Sequence, residues 1–301
     1  MQRSPQREST TRTALVLGGG GSAGNAWLIG VIAGLFDGGL DVREADLIIG
    51  TSAGSTAAAQ ITGAHPTRLL DETLAAVPPT GTGVQPGRPI LTRSHLERTN
   101  AVIAASADAA DMRRRMGAEL ETDPMSDEAG SARWRATVAA RLPQAEWPTQ
   151  RVMITAVDAR TGEPEVFDRD SGVDLVDAVA ASCAGGFAYA VGDRRYIDGG
   201  YRSNAENADL AAGYARVLIL SPFGGRTRLP LEWRLDLAHQ IEELRAHGSS
   251  VEAIHPDAAS LEAFGDNMMN PATRPPAARA GYALGKASAP ELIGFWSAPT
   301  A

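Results

Sequence analysis

A chain of 301 residues, 44% hydrophobic and 21% charged, holds enough apolar sequence for one large α/β core. Its formal net charge of −8 argues against nucleic-acid binding through a general basic surface, and leaves room for a local patch that meets a membrane. The single cysteine, Cys183, excludes an internal disulfide and fits a reducing compartment; in its apolar helical run it reads as a small core residue.

Residues 1–12, with Arg3, Arg7 and Arg12 ahead of apolar sequence, read as a polar arm rather than a signal peptide, because Gly18–Gly21 and Asn25 break the apolar run. No run reaches the ~18 apolar residues of a membrane-spanning helix, so a cytoplasmic location is expected. Residues 13–301 read as one domain. TALVL (13–17) predicts a buried parallel strand, and Trp27, Val31 and Leu35 with Ile32 and Phe36 give helical spacing over 25–37. ADLIIG (45–50) predicts a second buried strand, and STAAAQITG (55–63) a second helix closed by Gly63. The βαβα order predicts an α/β fold, a three-layer αβα arrangement around a mainly parallel sheet.

From Pro66 to Pro148 strand signals fade. Stretches 94–121 and 131–142 look helical, 75–89 and 121–131 look like loops, and 66–148 is expected to be a helical insertion. Its apolar residues read first as ordinary packing faces, with a cover over an acyl-binding site as the sharper alternative. MRRRM (112–116) reads as a solvated helix face before it reads as a contact for anionic lipid headgroups. Strands are predicted again at 151–159 and 163–168, joined by a tight turn at Thr161-Gly162. There follow a helix (173–184), the apolar strand that ends in YIDGGY (196–201), a strong strand (215–222), a helix (230–247), a strand (250–256) and helical segments to the C-terminus.

The second strand runs into Gly50-Thr51-Ser52-Ala53-Gly54, a G-x-S-x-G. A serine on a sharp strand-to-helix turn presents its hydroxyl at a helix N-terminus, and the flanking glycines avoid collisions with neighbouring backbone. With 32 glycines in the chain the match alone is weak; its place between strand and helix raises it.

The glycine run after the first strand has competing readings. Gly19-Gly20-Gly21-Ser22-Ala23-Gly24 satisfies G-x-G-x-x-G, but a dinucleotide fold wants an acidic residue at the far end of the second strand, where Gly50-Thr51-Ser52 stands. A Walker-type phosphate loop needs a lysine that the run lacks. If the two strands are neighbours, the loop instead lies beside Ser52, and its N–H groups suit a tetrahedral oxyanion.

A serine hydroxyl needs a base. Of His65, His95, His239, His247 and His255, only His255 at a strand end is a plausible triad base. Asp198 is the stronger candidate: it closes an apolar strand, Gly199 and Gly200 let the chain turn after it, and burial would raise its pKa into a useful range.

The glycine loop GGGGSAG, the elbow GTSAG and the later DGG, in that order, resemble the patatin-like phospholipase family. The resemblance covers about residues 13–222. It implies a serine–aspartate dyad of Ser52 and Asp198, oxyanion donors from the backbone of Gly19, Gly20 and Gly21, and supporting roles for Gly50, Gly54, Gly199 and Gly200. It implies a lipid or other acyl-ester substrate, possible peripheral membrane contact, and no metal or organic cofactor. The sequence departs from the family pattern at Ala23, where an arginine or lysine is usual, and in 181–200, which lacks the usual prolines. Those departures keep open a catalytically silent lipid-binding or regulatory module, beside an α/β-hydrolase-type esterase that uses His255.

Overall fold

The computed structural model describes residues 12–76 and 93–297. The expected arm at 1–12 lies outside them except for Arg12, whose guanidinium stacks on the Tyr214 ring at 4.7 Å. Most of the loop expected at 75–89 also lies outside.

The chain enters through β1 (Thr13–Leu17), whose residues are all buried, turns through the glycine run into α1 (Gly21–Asp37), and returns as β2 (Leu47–Gly50) before α2 (Ala53–Gly63). The two strands pair in parallel, with Leu17 opposite Gly50. That register brings the glycine run and the elbow to one rim of the sheet.

Four helices follow: α3 (Pro66–Ala75), α4 (Arg93–Ala105), α5 (Ala109–Glu121) and α6 (Glu128–Ala139). The insertion helices use much of their apolar surface for packing, although Leu96 of α4 is exposed. Met112 and Met116 of α5 are fully buried with Val157 and Ile197, and Trp134 of α6 meets Phe187 edge to face at 5.8 Å. Within MRRRM, Arg113 reaches the carbonyls of Gly162 (2.7 Å) and Arg202 (3.1 Å), while exposed Arg114 and Arg115 pair with Asp111. Between α5 and α6 the expected loop contains a 3₁₀ turn, Pro124–Ser126, and Asp127 caps α6.

β3 (Val152–Asp158) and β4 (Pro164–Phe167) form the expected hairpin, with Gly162 at φ +73° in its turn. Then come α7 (Leu175–Ser182), β5 (Tyr189–Val191), β6 (Arg194–Asp198), β7 (Arg216–Leu220), α8 (Leu237–Ala246), β8 (Ser250–Ile254), α9 (Ala258–Phe264) and α10 (Arg274–Ser297). β5, unanticipated from the sequence, is a short strand that pairs with β6 across Gly192 at φ +60°. The helix expected over 230–247 starts late. Arg234 takes a left-handed conformation, and the Asp236 side chain accepts the His239 N–H, so α8 begins at Leu237.

Among the described residues the sheet has eight strands, in the order β5-β6-β3-β2-β1-β7-β8 with β4 beside β3. The run β3-β2-β1-β7-β8 is parallel, and β4, β5 and β6 add antiparallel pairs. Alternation along the strands divides the core. Leu15, Leu17 and Ile48 pack with α1, α2 and α10 on one face, and Ala14, Val16, Leu47 and Ile49 pack with Leu237 and Leu244 of α8 on the other. The architecture is the three-layer αβα of the sequence analysis. Among the described residues no helix is long and apolar enough to cross a membrane.

Candidate active site

Only Thr51 and Ser52 separate β2 from α2, so the chain must turn abruptly there. Ser52 sits at φ 53° and ψ −115°, a conformation that L-residues rarely adopt and that the surroundings must hold in place. Thr51 N–H donates to Leu17 O (3.1 Å), and Ser52 N–H to Ser182 Oγ (2.9 Å). The Ser52 carbonyl accepts from Ser55 Oγ at 2.7 Å and from Cys183 Sγ at 3.1 Å, so Cys183, at the core's edge, also braces the turn.

The elbow glycines are there for space. A Cβ on Gly54 would lie 1.9 Å from Leu17 O, and one on Gly50 would lie 2.6 Å from Ser55 Cα. Gly54→Ala should therefore destabilise the fold by about 3 kcal/mol or more, since backbone must move to relieve the overlap. A urea midpoint equal to wild type would contradict this packing.

Asp198 closes β6, with Ala156 of β3 opposite it, and the Ser52 side chain lies close enough to the carboxylate to favour its charged form. The Gly200 N–H donates to Oδ1 at 2.8 Å. Desolvation pushes the Asp198 pKa up to about 6, against the pull of the Gly200 hydrogen bond and the nearby Ser52 hydroxyl. Gly199 and Gly200 do not have positive φ. Gly199 is instead dictated by close approach, because its Cβ would lie 2.1 Å from Thr155 Oγ1 and 2.3 Å from Thr155 O. Gly185 lies against the other side of the carboxylate, where a Cβ would be 3.4 Å from Oδ2.

The glycine loop runs beside the serine: a Cβ on Gly19 would be 3.5 Å from Ser52 Cβ. Gly18 N–H donates to Leu220 O (3.0 Å) and Gly19 N–H to Ala205 O (2.8 Å). Of the three expected oxyanion donors, Gly19 thus has its N–H already bonded, whereas those of Gly20 and Gly21 have no acceptor among the described residues. Both stand at the start of α1, where unpaired N–H groups and the helix dipole favour negative charge. Ala23 is fully buried, and its N–H donates to Met268 O at 2.8 Å. A cation does reach this turn of α1 from far along the chain. Arg274, at the start of α10, donates to Ser22 O (3.0 Å) and through both Nη atoms to Asn25 Oδ1 (3.1 Å each).

The structure brings Ser52, Asp198 and the glycine loop together and leaves His255 apart. His255 is exposed after β8, which lies beyond β1 and β7 from β2. His65 packs edge to face on Phe36, His239 pairs with Asp236, and His247 bonds the Glu243 carbonyl. His95 of α4 is the surprise: buried, it meets the Gly185 backbone next to Asp198, and desolvation, with Arg98 and Arg228 nearby, lowers its pKa. Another buried acid, Glu206, sits under Gly18, accepts Ser221 Oγ at 2.6 Å, and has its pKa raised by desolvation to about 7. No sequence pattern singled out His95 or Glu206. Among the described residues no group of three or more His, Cys, Asp or Glu side chains could hold a metal ion.

The family model described as Patatin-like phospholipase matches residues 15–210. Among solved structures the chain is similar to VipD from Legionella pneumophila, at 12% identity and a TM-score of 0.45, covering 94% of this chain and 67% of that one. It is also similar to a chain of the full-length SpcU–ExoU complex from the type III secretion system of Pseudomonas aeruginosa, at 16% identity and a TM-score of 0.38. That match covers 97% of this chain and 54% of the other, so the protein spans about half the length of that relative. No curated protein matches the sequence.

Proposed function

The chain belongs to the patatin-like phospholipase family, and from that premise we propose that it is a lipid acyl hydrolase working through Ser52 and Asp198. Family membership supports the reaction class. The observation that carries the residue assignment is the Ser52 side chain, on a strained elbow, brought close to a desolvated carboxylate.

In this reading Ser52 Oγ attacks the ester carbonyl carbon while its proton passes to Asp198. The carbonyl oxygen becomes an oxyanion, held by the N–H groups of Gly20 and Gly21 with the N-terminus of α1 behind them; Gly19 gives the oxyanion room beside Ser52. Collapse breaks the bond to the alcohol, which leaves with the proton from Asp198. Water, deprotonated by the same carboxylate, then attacks the acyl-enzyme, and fatty acid departs with Ser52 restored. The raised pKa of Asp198 makes it a better base than an ordinary aspartate, while at about 6 it still leaves the carboxylate mostly ionised at neutral pH.

The test is release of fatty acid from a chain-length series of p-nitrophenyl esters and from phospholipid vesicles. Turnover of at least one is expected, and His255→Ala should stay within about twofold of wild type, as exposed substitutions usually do. Folded protein that hydrolyses none of these esters would point to the silent lipid-binding module. Loss of turnover in His255→Ala would restore the triad reading.

A further inference from the structure

Ser52 and Asp198 stand at the ends of different strands, β2 and β6, which pair end to end along one edge of β3, β2 with residues 152–154 and β6 with residues 156–158. Something must hold those ends in register where the ladders stop. The buried polar contacts at that level converge on one side chain, Asn207.

Asn207 has no exposed surface and a left-handed backbone, φ 53°, which asparagine tolerates better than most residues. Its Nδ2 lies 2.9 Å from Thr51 Oγ1, 2.9 Å from Gly199 O and 3.3 Å from Thr155 Oγ1. Thr51 precedes Ser52, Gly199 follows Asp198, and Thr155 is the β3 residue between the end of the β2 ladder and the start of the β6 ladder. The two threonine hydroxyls also bond each other at 2.9 Å.

The orientation of the amide follows from its partners. Arg202 Nη1 lies 3.1 Å from Oδ1, and a guanidinium can only donate, so the oxygen must face it. The nitrogen then faces Gly199 O, which can only accept. Arg202 is itself fixed by two bonds to Asp209, at 2.9 and 2.8 Å.

We propose that Asn207 is the positioning residue of the dyad, its amide tying the residue before Ser52 to the residue after Asp198 where the ends of β2 and β6 meet beside Thr155. The inference rests on the dyad reading above. It has a physical motive: proton transfer needs heavy atoms about 2.6–3.2 Å apart, and a strained elbow relaxes unless its neighbours over-determine it.

Two substitutions isolate the amide. Asn207→Gly keeps the left-handed backbone without steric cost and deletes the side chain. Asn207→Asp keeps the shape and the acceptor for Arg202 and replaces the donor facing Gly199 O with a second acceptor. On an ester that wild type turns over, each should lower kcat by about 10- to 100-fold with KM within about twofold, the pattern of misplaced reacting groups. The rate is taken per site titrated with fluorophosphonate at saturation.

Wild-type kcat per titrated site in either variant overturns the inference, including when fewer sites titrate because less protein folds. If neither variant folds, Thr51→Val, which removes one acceptor without changing shape, should lower kcat about tenfold, and a wild-type value is again fatal. Ser52→Ala run in parallel separates the two levels: turnover in that variant overturns the dyad reading and the inference with it. A dead Ser52→Ala beside fully active Asn207 variants overturns the inference alone.

Discussion

Ser52→Ala should abolish ester hydrolysis and fluorophosphonate labelling while leaving thermal stability close to wild type. Loss of the attacking atom in a serine hydrolase lowers kcat by roughly 10⁴- to 10⁶-fold, because the remaining groups stabilise a transition state that no longer forms covalently. Stability should hold because alanine at φ 53° bears the same backbone strain as serine. The elbow's other bonds also use Ser52 main-chain atoms, not its hydroxyl: N–H to Ser182, and carbonyl to Ser55 and Cys183. Ser52→Gly gives the complementary outcome, with activity lost and the fold stabilised by about 1–3 kcal/mol as strain is relieved. Labelling that survives in both variants would move the nucleophile elsewhere. Ser55 is a poor substitute, being fully buried with its hydroxyl already donating to Ser52 O.

What was legible in the sequence was what local chemistry dictates. An apolar run followed by glycines marked β1, and the serine between Gly50 and Gly54 marked the elbow, because no other residue type fits at 1.9 and 2.6 Å from backbone. Asp198 is legible as a candidate through its strand and its glycines, although the reason for Gly199 is contact with Thr155 rather than freedom to turn. The residues that escaped notice act through partners far along the chain. Asn207 looks like any loop asparagine until β2 and β3 place Thr51 and Thr155 beside it. Arg274 is one arginine in a proline-containing stretch until α10 packs on α1. That packing is itself specified by Gly30, Gly34, Gly281 and Gly285, where added Cβ atoms would come within 2.2–2.4 Å of the facing carbonyl oxygens. Spacing of small residues shows that a helix has a narrow face; it does not name the helix that will use it.

Asp198→Asn should lower kcat by about 10²- to 10⁴-fold, the usual contribution of a positioned general base, and should also make the protein more stable at neutral pH. Both effects come from the same desolvation. With the Asp198 pKa at about 6, kcat/KM of wild type should rise with pH through that value and level off above it, as the base form fills. Stability runs the other way. The folded pKa lies above the ordinary aspartate value of 3.8, so the folded state binds the proton more tightly. Its contribution to stability is complete below about pH 4 and disappears as pH rises through about 6. At pH 8 the ionised carboxylate is a liability that asparagine removes, worth about 1–3 kcal/mol, and the gap between variant and wild type should close as pH falls toward 4. Glu206, raised to about 7, adds a second loss of stability at higher pH. Glu206→Gln therefore serves to assign the kinetic limb: it should raise stability at pH 8 and leave the limb near pH 6 in place. A limb that moves in Glu206→Gln and not with changes at Asp198 would reassign the base. The protein should then be most stable on the acid side of its best activity, because the carboxylate proposed to take the serine's proton is held where its charge is poorly solvated.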